Sequence, residues 1–380
     1  MHPLKNYLKY IIYTLRDLWL PKNNPIVEEN TLCIIKMDAI GDYILFRNFI
    51  EAIATSSKYK DYEITLIGNT IWKELAEELD SKWINHFIWI DPRKFQKDFS
   101  YRKKCFEELQ EVQYSVLIHP TFSRDYYVAE TISKAVFAKQ KIAATSDLMN
   151  TSKWQKRMAD RQYSQFITIP DQLLFEFDKN RFFINSLLKT SSHINLNIND
   201  LIDVKNLNTK QPYCILFIGG TAEFRKWSLN NWIALLEHIL SNYKEEIVIA
   251  GGPNDKVLAD DLIQAFSGNS RISNLAGKTS LYQLIQLISG AKWMISNETS
   301  APHMAAAVNT PVLVISNGNH YGRFIPYPKE VYDKYYTVFP KEIDTLSEEE
   351  RIMKFTEGSD LSINLIAPKK VISALENNFI

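Results

Sequence analysis

The stretch AKWMISNETSAPHMAAAVNTPVLVI, residues 291–315, constrains the fold more tightly than any other part of the chain. Its pattern predicts a short apolar strand over 292–296, a helix over 301–308 and a second strand over 312–315. Two such strands joined through a helix form a parallel crossover unit, so the sheet they enter needs a second layer to cover its faces. Alanines and Met304 suit a helix packed flat on that sheet. At the junction stand Asn297, Glu298, Thr299 and Ser300. Two readings fit them. Either the backbone N–H groups of Thr299 and Ser300 face an anion at the helix start, or one of the two hydroxyls simply caps the helix.

The same rhythm occurs twice along the chain. Apolar runs at 31–36, 63–67, 86–90 and 114–119 alternate with helical patterns near 42–56, 70–80, 97–112 and 124–138, and residues 141–144 form a fifth strand. From about 150 to 210 the alternation fades and Asn, Ser, Lys and Asp collect, placing a domain junction near Thr209. A second alternation follows: strand 213–218, helix 229–243, strand 247–250, helices 256–266 and 281–289, then the crossover unit. These readings predict an α/β protein of two doubly wound domains, 26–208 and 209–355, facing each other. A first segment, 1–25, and a closing one, 356–380, flank them. The closing segment ends in a helix placed to pack back on the first domain.

At 380 residues the chain is long enough for two cores, and its 44 basic residues cancel 44 acidic ones, which argues against a nucleic-acid partner. Cys33, Cys105 and Cys214 are far apart, and the first and last lie in apolar runs, so they read as reduced thiols of a cytoplasmic protein. No cysteine or histidine spacing suits a metal, and no apolar run approaches the roughly 20 residues of a membrane span.

The amino terminus has a different character. Leu4, Leu8, Ile11, Ile12, Leu15, Leu18 and Trp19 recur at helical spacing, with Lys5, Lys9 and Arg16 on another face. No cleavage pattern follows, so the segment is expected to be retained. It reads either as an interfacial helix that settles on a membrane through residues 1–22, or as a helix that packs its stripe on the protein.

In open parallel sheets ligands sit outside the carboxyl ends of the strands, so the loops there should carry the chemistry. After the first strand comes Lys36-Met37-Asp38-Ala39-Ile40-Gly41-Asp42, in which Asp42 opens a helix and suits a general base. After the strand at 213–218 comes Gly219-Gly220-Thr221-Ala222-Glu223-Phe224-Arg225-Lys226, small residues beside two cations, as a diphosphate requires. After 247–250 comes Gly251-Gly252-Pro253-Asn254-Asp255, where the glycines admit a ring or a ribose. Each loop also reads as ordinary turn chemistry. Neither a dinucleotide-binding glycine fingerprint nor a P-loop is present.

Taken in order, IIKMDAIGDYILFRNFIEAI, RKWSLNNWIALLEHI with IVIAGGPND, and NLAGKTSLYQLIQLISGAKWMISNETSAPHMAAAVNTPVLVI resemble glycosyltransferase family 9, the heptosyltransferase-like enzymes of lipopolysaccharide assembly. The resemblance runs from about Leu32 to about Gly318. It implies the GT-B architecture, two Rossmann-like domains facing a central cleft. It also implies an inverting transfer without metal or other cofactor, from a nucleotide-diphosphate sugar such as ADP-heptose to a hydroxyl of a lipid-linked glycan such as lipopolysaccharide core. The acceptor would bind the first domain and the donor the second. By position, Asp42 then looks like the catalytic base, with Gly41 on the acceptor side. Thr221, Arg225, Lys226, Gly252, Lys278, Thr279, Glu298, Thr299, Ser300 and His303 look like donor-binding residues. His303 equally suits capping or packing. Where the family usually shows Asp-Thr-Gly this chain has Glu298-Thr299-Ser300, which leaves the donor sugar open. The resemblance further implies a cytoplasmic protein, peripheral at the inner membrane. Two alternatives stay open: a binding protein without turnover, and a nucleotide-sugar epimerase.

Overall fold

A computed structural model describes residues 11–13, 15–17, 20, 24–203, 211–220 and 222–379. The chain divides into two compact units. The first comprises Met1–Ala39, Phe49–Pro170 and Asn180–Ser192; the second comprises Ile40–Asn48, Asp171–Lys179 and His193–Ile380. Contacts therefore do not follow a single cut, and the junction expected at Thr209 lies outside the described residues.

Unit one is built on a parallel sheet of β1 (Ile26–Val27), β2 (Thr31–Lys36), β3 (Glu63–Asn69), β4 (His86–Ile90), β5 (Val112–His119), β6 (Phe137–Ala144) and β7 (Gln165–Ile167). The order is β4-β3-β2-β5-β6-β7, with β1 paired to β5. Every residue of β2 is buried, as expected of a strand covered by helices on both faces. Leu32 aligns with Val116 and Ile34 with Ile118 across the central pair.

Unit two repeats the plan with β8 (Tyr213–Phe217), β9 (Glu246–Ala250), β10 (Ile272–Asn274), β11 (Met294–Asn297), β12 (Val312–Ile315) and β13 (Tyr335–Val338), ordered β10-β9-β8-β11-β12-β13. In each sheet the winding reverses once. The reversal falls between β2 and β5 in unit one and between β8 and β11 in unit two. Such a switch point leaves a crevice at the strands' carboxyl ends.

Two expectations change. The helix expected over 42–56 is two helices, Ile40–Ile44 and Asn48–Ala54, and Asn48 at the break donates to the carbonyls of Asn195 and Asn197 at 2.7 and 3.2 Å. The region expected to lose regular structure contains the helix Glu176–Leu188. Its stripe of Phe177, Phe183, Ile184 and Leu187 is interrupted by buried Lys179 and Asn180, which hides the helical period in the sequence. The closing helix, Pro368–Phe379, packs within its own unit. Val371 and Leu375 are buried in the second unit's core with Trp232, Leu236, Ile363 and Ile366. The Trp227 indole fixes the approach by donating to the Ile366 carbonyl at 2.8 Å. Burying a leucine or valine side chain contributes about 1.5–3 kcal/mol, so two such anchors hold the helix where it is.

Leu4, Lys5, Leu8, Lys9, Leu18 and Trp19 lie outside the described residues. The described part of that segment is helical at 11–13 and 15–17 and is fastened to unit one. Tyr13 and Arg16 both donate to the Gln96 carbonyl, at 2.9 and 3.0 Å, and Asp17 takes two bonds from Arg102, at 2.8 and 2.6 Å. Leu20 enters the core. Arg16, expected among the lipid-facing cations, is therefore committed to the protein, whereas Ile11, Ile12 and Leu15 are exposed. No described helix is long and apolar enough to cross a membrane.

Candidate active site

The second unit's switch point gathers four loops. Asn297, the last residue of β11, reaches across the crevice, and its amide donates to the carbonyls of Ile218 and Gly219 at 2.9 and 3.2 Å. This tie holds the loop after β8 against the loop after β11. Asn297 Oδ1 remains buried without a hydrogen-bond partner among the described residues.

Glu298 follows, 8% exposed, with Oε2 accepting from the Ser316 hydroxyl at 2.6 Å. Burial pushes its carboxyl up to about 7, while the Arg225 charge and the Ser316 and Asn319 side chains pull the other way. A carboxyl tuned there exchanges between proton donor and acceptor near neutral pH. Ser316 and Asn319 sit in the loop after β12, which sequence reasoning missed, although Ser316-Asn317-Gly318-Asn319 is a polar strand-end loop like those it did select.

Arg225 ends the short 3-10 turn Glu223–Arg225. Its Nε is buried without a hydrogen-bond partner among the described residues. Lys226 stands 3.8 Å from Asp255, whose other oxygen accepts from the Gly252 N–H at 2.9 Å. The loops after β8 and β9 thus meet at Asp255, a residue that sequence reasoning quoted without giving it a role. Gly277, at a φ of +69°, brings its loop against Gly252 and Pro253, leaving no room for a side chain. The next residue, Lys278, is exposed and donates to the Asn274 carbonyl at 2.9 Å, and Thr279 is half-buried. Thr221 lies outside the described residues.

At the start of the helix Ala301–Ala307, the Thr299 hydroxyl accepts from the Ala301 N–H at 3.3 Å, while Ser300 makes no side-chain cap. His303, on that helix, is buried; its Nδ1 pairs with the Tyr327 hydroxyl at 2.7 Å and its ring lies against Phe324 and Tyr327. Burial lowers its pKa to about 4, so the ring is neutral at physiological pH. These partners favour the packing role. The ring also explains Gly41, because a Cβ there would stand 2.8 Å from His303 Cδ2. The glycine lets the helix Ile40–Ile44 close on His303, and that helix carries half-buried Asp42 in its first turn. Asp42, Gly41 and His303 therefore belong to one unit with Glu298 and Arg225.

The first unit's switch point holds a second polar group. Asp38, just beyond β2, lies 2.8 Å from Lys36 and accepts the Thr121 hydroxyl on Oδ2 at 2.6 Å. Burial pushes this carboxyl up, but the Lys36 charge and the Lys36 and Thr121 hydrogen bonds outweigh it, holding Asp38 below the ordinary carboxylate range. Sequence reasoning quoted this loop and gave Asp38 no role.

The profile of glycosyltransferase family 9 (heptosyltransferase) matches residues 151–333, a span that includes Arg225, Glu298 and His303. The chain is 27% identical over 115 residues to lipopolysaccharide heptosyltransferase 2 of Salmonella typhimurium, covering 29% of this chain and 32% of that protein. It is 32% identical over 95 residues to lipooligosaccharide heptosyltransferase 2 of Haemophilus ducreyi, covering 24% and 27%. These alignments span about a third or less of the relatives' lengths. Among solved structures, the E. coli heptosyltransferase WaaC with ADP superposes with a TM-score of 0.70 at 15% identity, covering 92% of this chain and 99% of that one. At that identity the likeness establishes the fold, and the fold is the GT-B architecture of the heptosyltransferases, with two parallel-sheet α/β domains.

Proposed function

We propose that this chain is an inverting, metal-independent glycosyltransferase. In this reading it moves heptose or a related sugar from a nucleotide-diphosphate donor, ADP-linked, to a hydroxyl of a lipid-linked glycan such as lipopolysaccharide core. One observation carries the reading. At the switch point of a family 9 domain, Arg225 keeps a buried, unpartnered Nε beside Glu298, a carboxyl balanced near neutrality. A cation with unspent donors suits a diphosphate, and a carboxyl with both donor and acceptor character suits the hydroxyls of a sugar.

The acceptor oxygen attacks the anomeric carbon from the face opposite the diphosphate. As the new C–O bond forms, the bond to the phosphate oxygen breaks, and the nucleoside diphosphate leaves with the bonding electrons. Asp42 takes the acceptor proton. Arg225 and Lys226 offset the charge that grows on the leaving phosphate, in place of a metal ion. A lipid-linked acceptor would be met at the cytoplasmic face of the inner membrane, and exposed Ile11, Ile12 and Leu15 on a fastened helix support contact with lipid there.

The test is Asp42→Asn, with ADP affinity measured by calorimetry and transfer measured from ADP-heptose. Turnover should fall by about 100-fold or more while ADP affinity stays nearly intact, because only the transition state loses the base. Near-native turnover would remove Asp42 from the mechanism, and sugar conversion without acceptor would favour an epimerase.

A further inference from the structure

The polar group at the first unit's switch point is built to a degree that an ion pair alone does not require. Lys36 is 1% exposed at the end of β2 and needs a counter-charge, which Asp38 supplies at 2.8 Å. A carboxylate in almost any rotation could do that. Here its direction is fixed as well. Thr121, two residues beyond β5, donates to Oδ2 at 2.6 Å from the other side of the crevice. The backbone beneath it is tied too: the Asp38 carbonyl accepts from the Trp72 indole at 3.1 Å and from the Asn69 amide at 3.3 Å. The loop that carries Thr121 is pinned in turn, because buried Arg124 pairs with Glu130 at 2.8 Å and with Asp160 at 2.6 Å. Close by, His119 is fully buried, and its Nε2 has no hydrogen-bond partner among the described residues.

The fixed bonds all converge on Oδ2, yet the Asp38 side chain remains 22% exposed. An oriented carboxylate with accessible surface, at the place where open α/β sheets bind ligands, is arranged to accept a hydrogen bond from outside. The Lys36 charge cancels that of Asp38, so neither an ammonium nor a phosphate gains a net charge partner. A neutral hydroxyl does gain a strong, charge-assisted bond.

We infer that Asp38, held by Lys36 and Thr121, is an acceptor-binding residue that takes a hydrogen bond from a hydroxyl of the acceptor glycan. The inference rests on the glycosyltransferase reading and assigns the part of the first unit that would recognise the acceptor sugar.

The experiment uses the full chain, ADP-heptose and deacylated, heptose-deficient lipopolysaccharide, and varies each substrate separately. Asp38→Asn should raise the acceptor KM by about 10-fold or more while the Kd for ADP changes by less than about twofold. Thr121→Val keeps the ion pair and frees the carboxylate to rotate, so it should raise the acceptor KM by about threefold or more with ADP affinity again unchanged. If Asp38→Asn fails to fold because Lys36 loses its counter-charge, Thr121→Val decides alone. A lower melting temperature with an unchanged acceptor KM would make the group structural and overturn the inference. A native chain that neither binds ADP nor transfers sugar would instead overturn the glycosyltransferase reading and this inference with it.

Discussion

Asp38 and Glu298 stand at the switch points of two sheets wound in the same order, and both are largely shielded from water. Their protonation nevertheless diverges. Burial disfavours the charge on each, but Asp38 has Lys36 at 2.8 Å and the Thr121 hydroxyl at 2.6 Å, and falls below the usual carboxylate range. Glu298 has a short bond from Ser316, help from the Asn319 side chain and the more diffuse influence of Arg225, and rises to about 7. A buried carboxyl thus takes its character from the nearest cation more than from its depth. The first crevice presents a permanent acceptor to neutral hydroxyls. The second presents a carboxyl whose charge is unsettled at neutral pH, beside a cation with an unused donor.

The largest expected effect comes from removing the cation that separates the two cases. Lys36→Met leaves Asp38 without its counter-charge, and urea unfolding at pH 7 should show a loss of about 2–4 kcal/mol. The loss should shrink as the pH falls and Asp38 takes up a proton. Native stability in this variant would break the comparison.

A somewhat smaller effect concerns Glu298. Its folded pKa lies above the unfolded value of 4.5, so the folded state holds the proton more tightly. The contribution of this group is fully present below 4.5 and is lost as the pH rises to about 7, bounded at about 3 kcal/mol. Glu298→Gln should flatten the stability curve across that window and weaken donor binding. Parallel curves for variant and native chain would show that Glu298 does not titrate there.

The smallest effect isolates a single bond. Ser316→Ala removes the donor to Glu298 Oε2, worth about 1–1.5 kcal/mol to the charged form, and should move the carboxyl's NMR titration midpoint upward by about one pH unit. An unmoved midpoint would mean that Arg225, not the hydroxyl, sets the balance.

Much of the fold was legible because buried parallel strands are continuous apolar runs. Thr31–Lys36, His86–Ile90, Val312–Ile315 and the helix Leu281–Ser289 coincide with the ranges expected from pattern alone. Short edge strands such as Ile272–Asn274 and Tyr335–Val338 were missed because too few residues carry the period. The helix Glu176–Leu188 was missed for a different reason: buried polar residues occupy its stripe, and Glu176 pairs with Arg323, 147 positions away, at 2.9 Å.

The site divides along the same line. Which loops stand at the strand ends followed from the sequence, and Asp42, Arg225 and Glu298 are written there. What each residue can do was settled by neighbours remote in the chain. His303 is a packing partner of Gly41 because Tyr327 and Phe324 enclose it, Lys226 shares Asp255 with the Gly252 N–H, and Asp38 acquires a direction only when Thr121 arrives from β5. Local periodicity fixes where the chain turns, because it depends on residues a few positions apart. Orientation depends on burial and on partners such as Ser316, 18 positions from Glu298, and Thr121, 83 positions from Asp38, and only the folded chain brings these together.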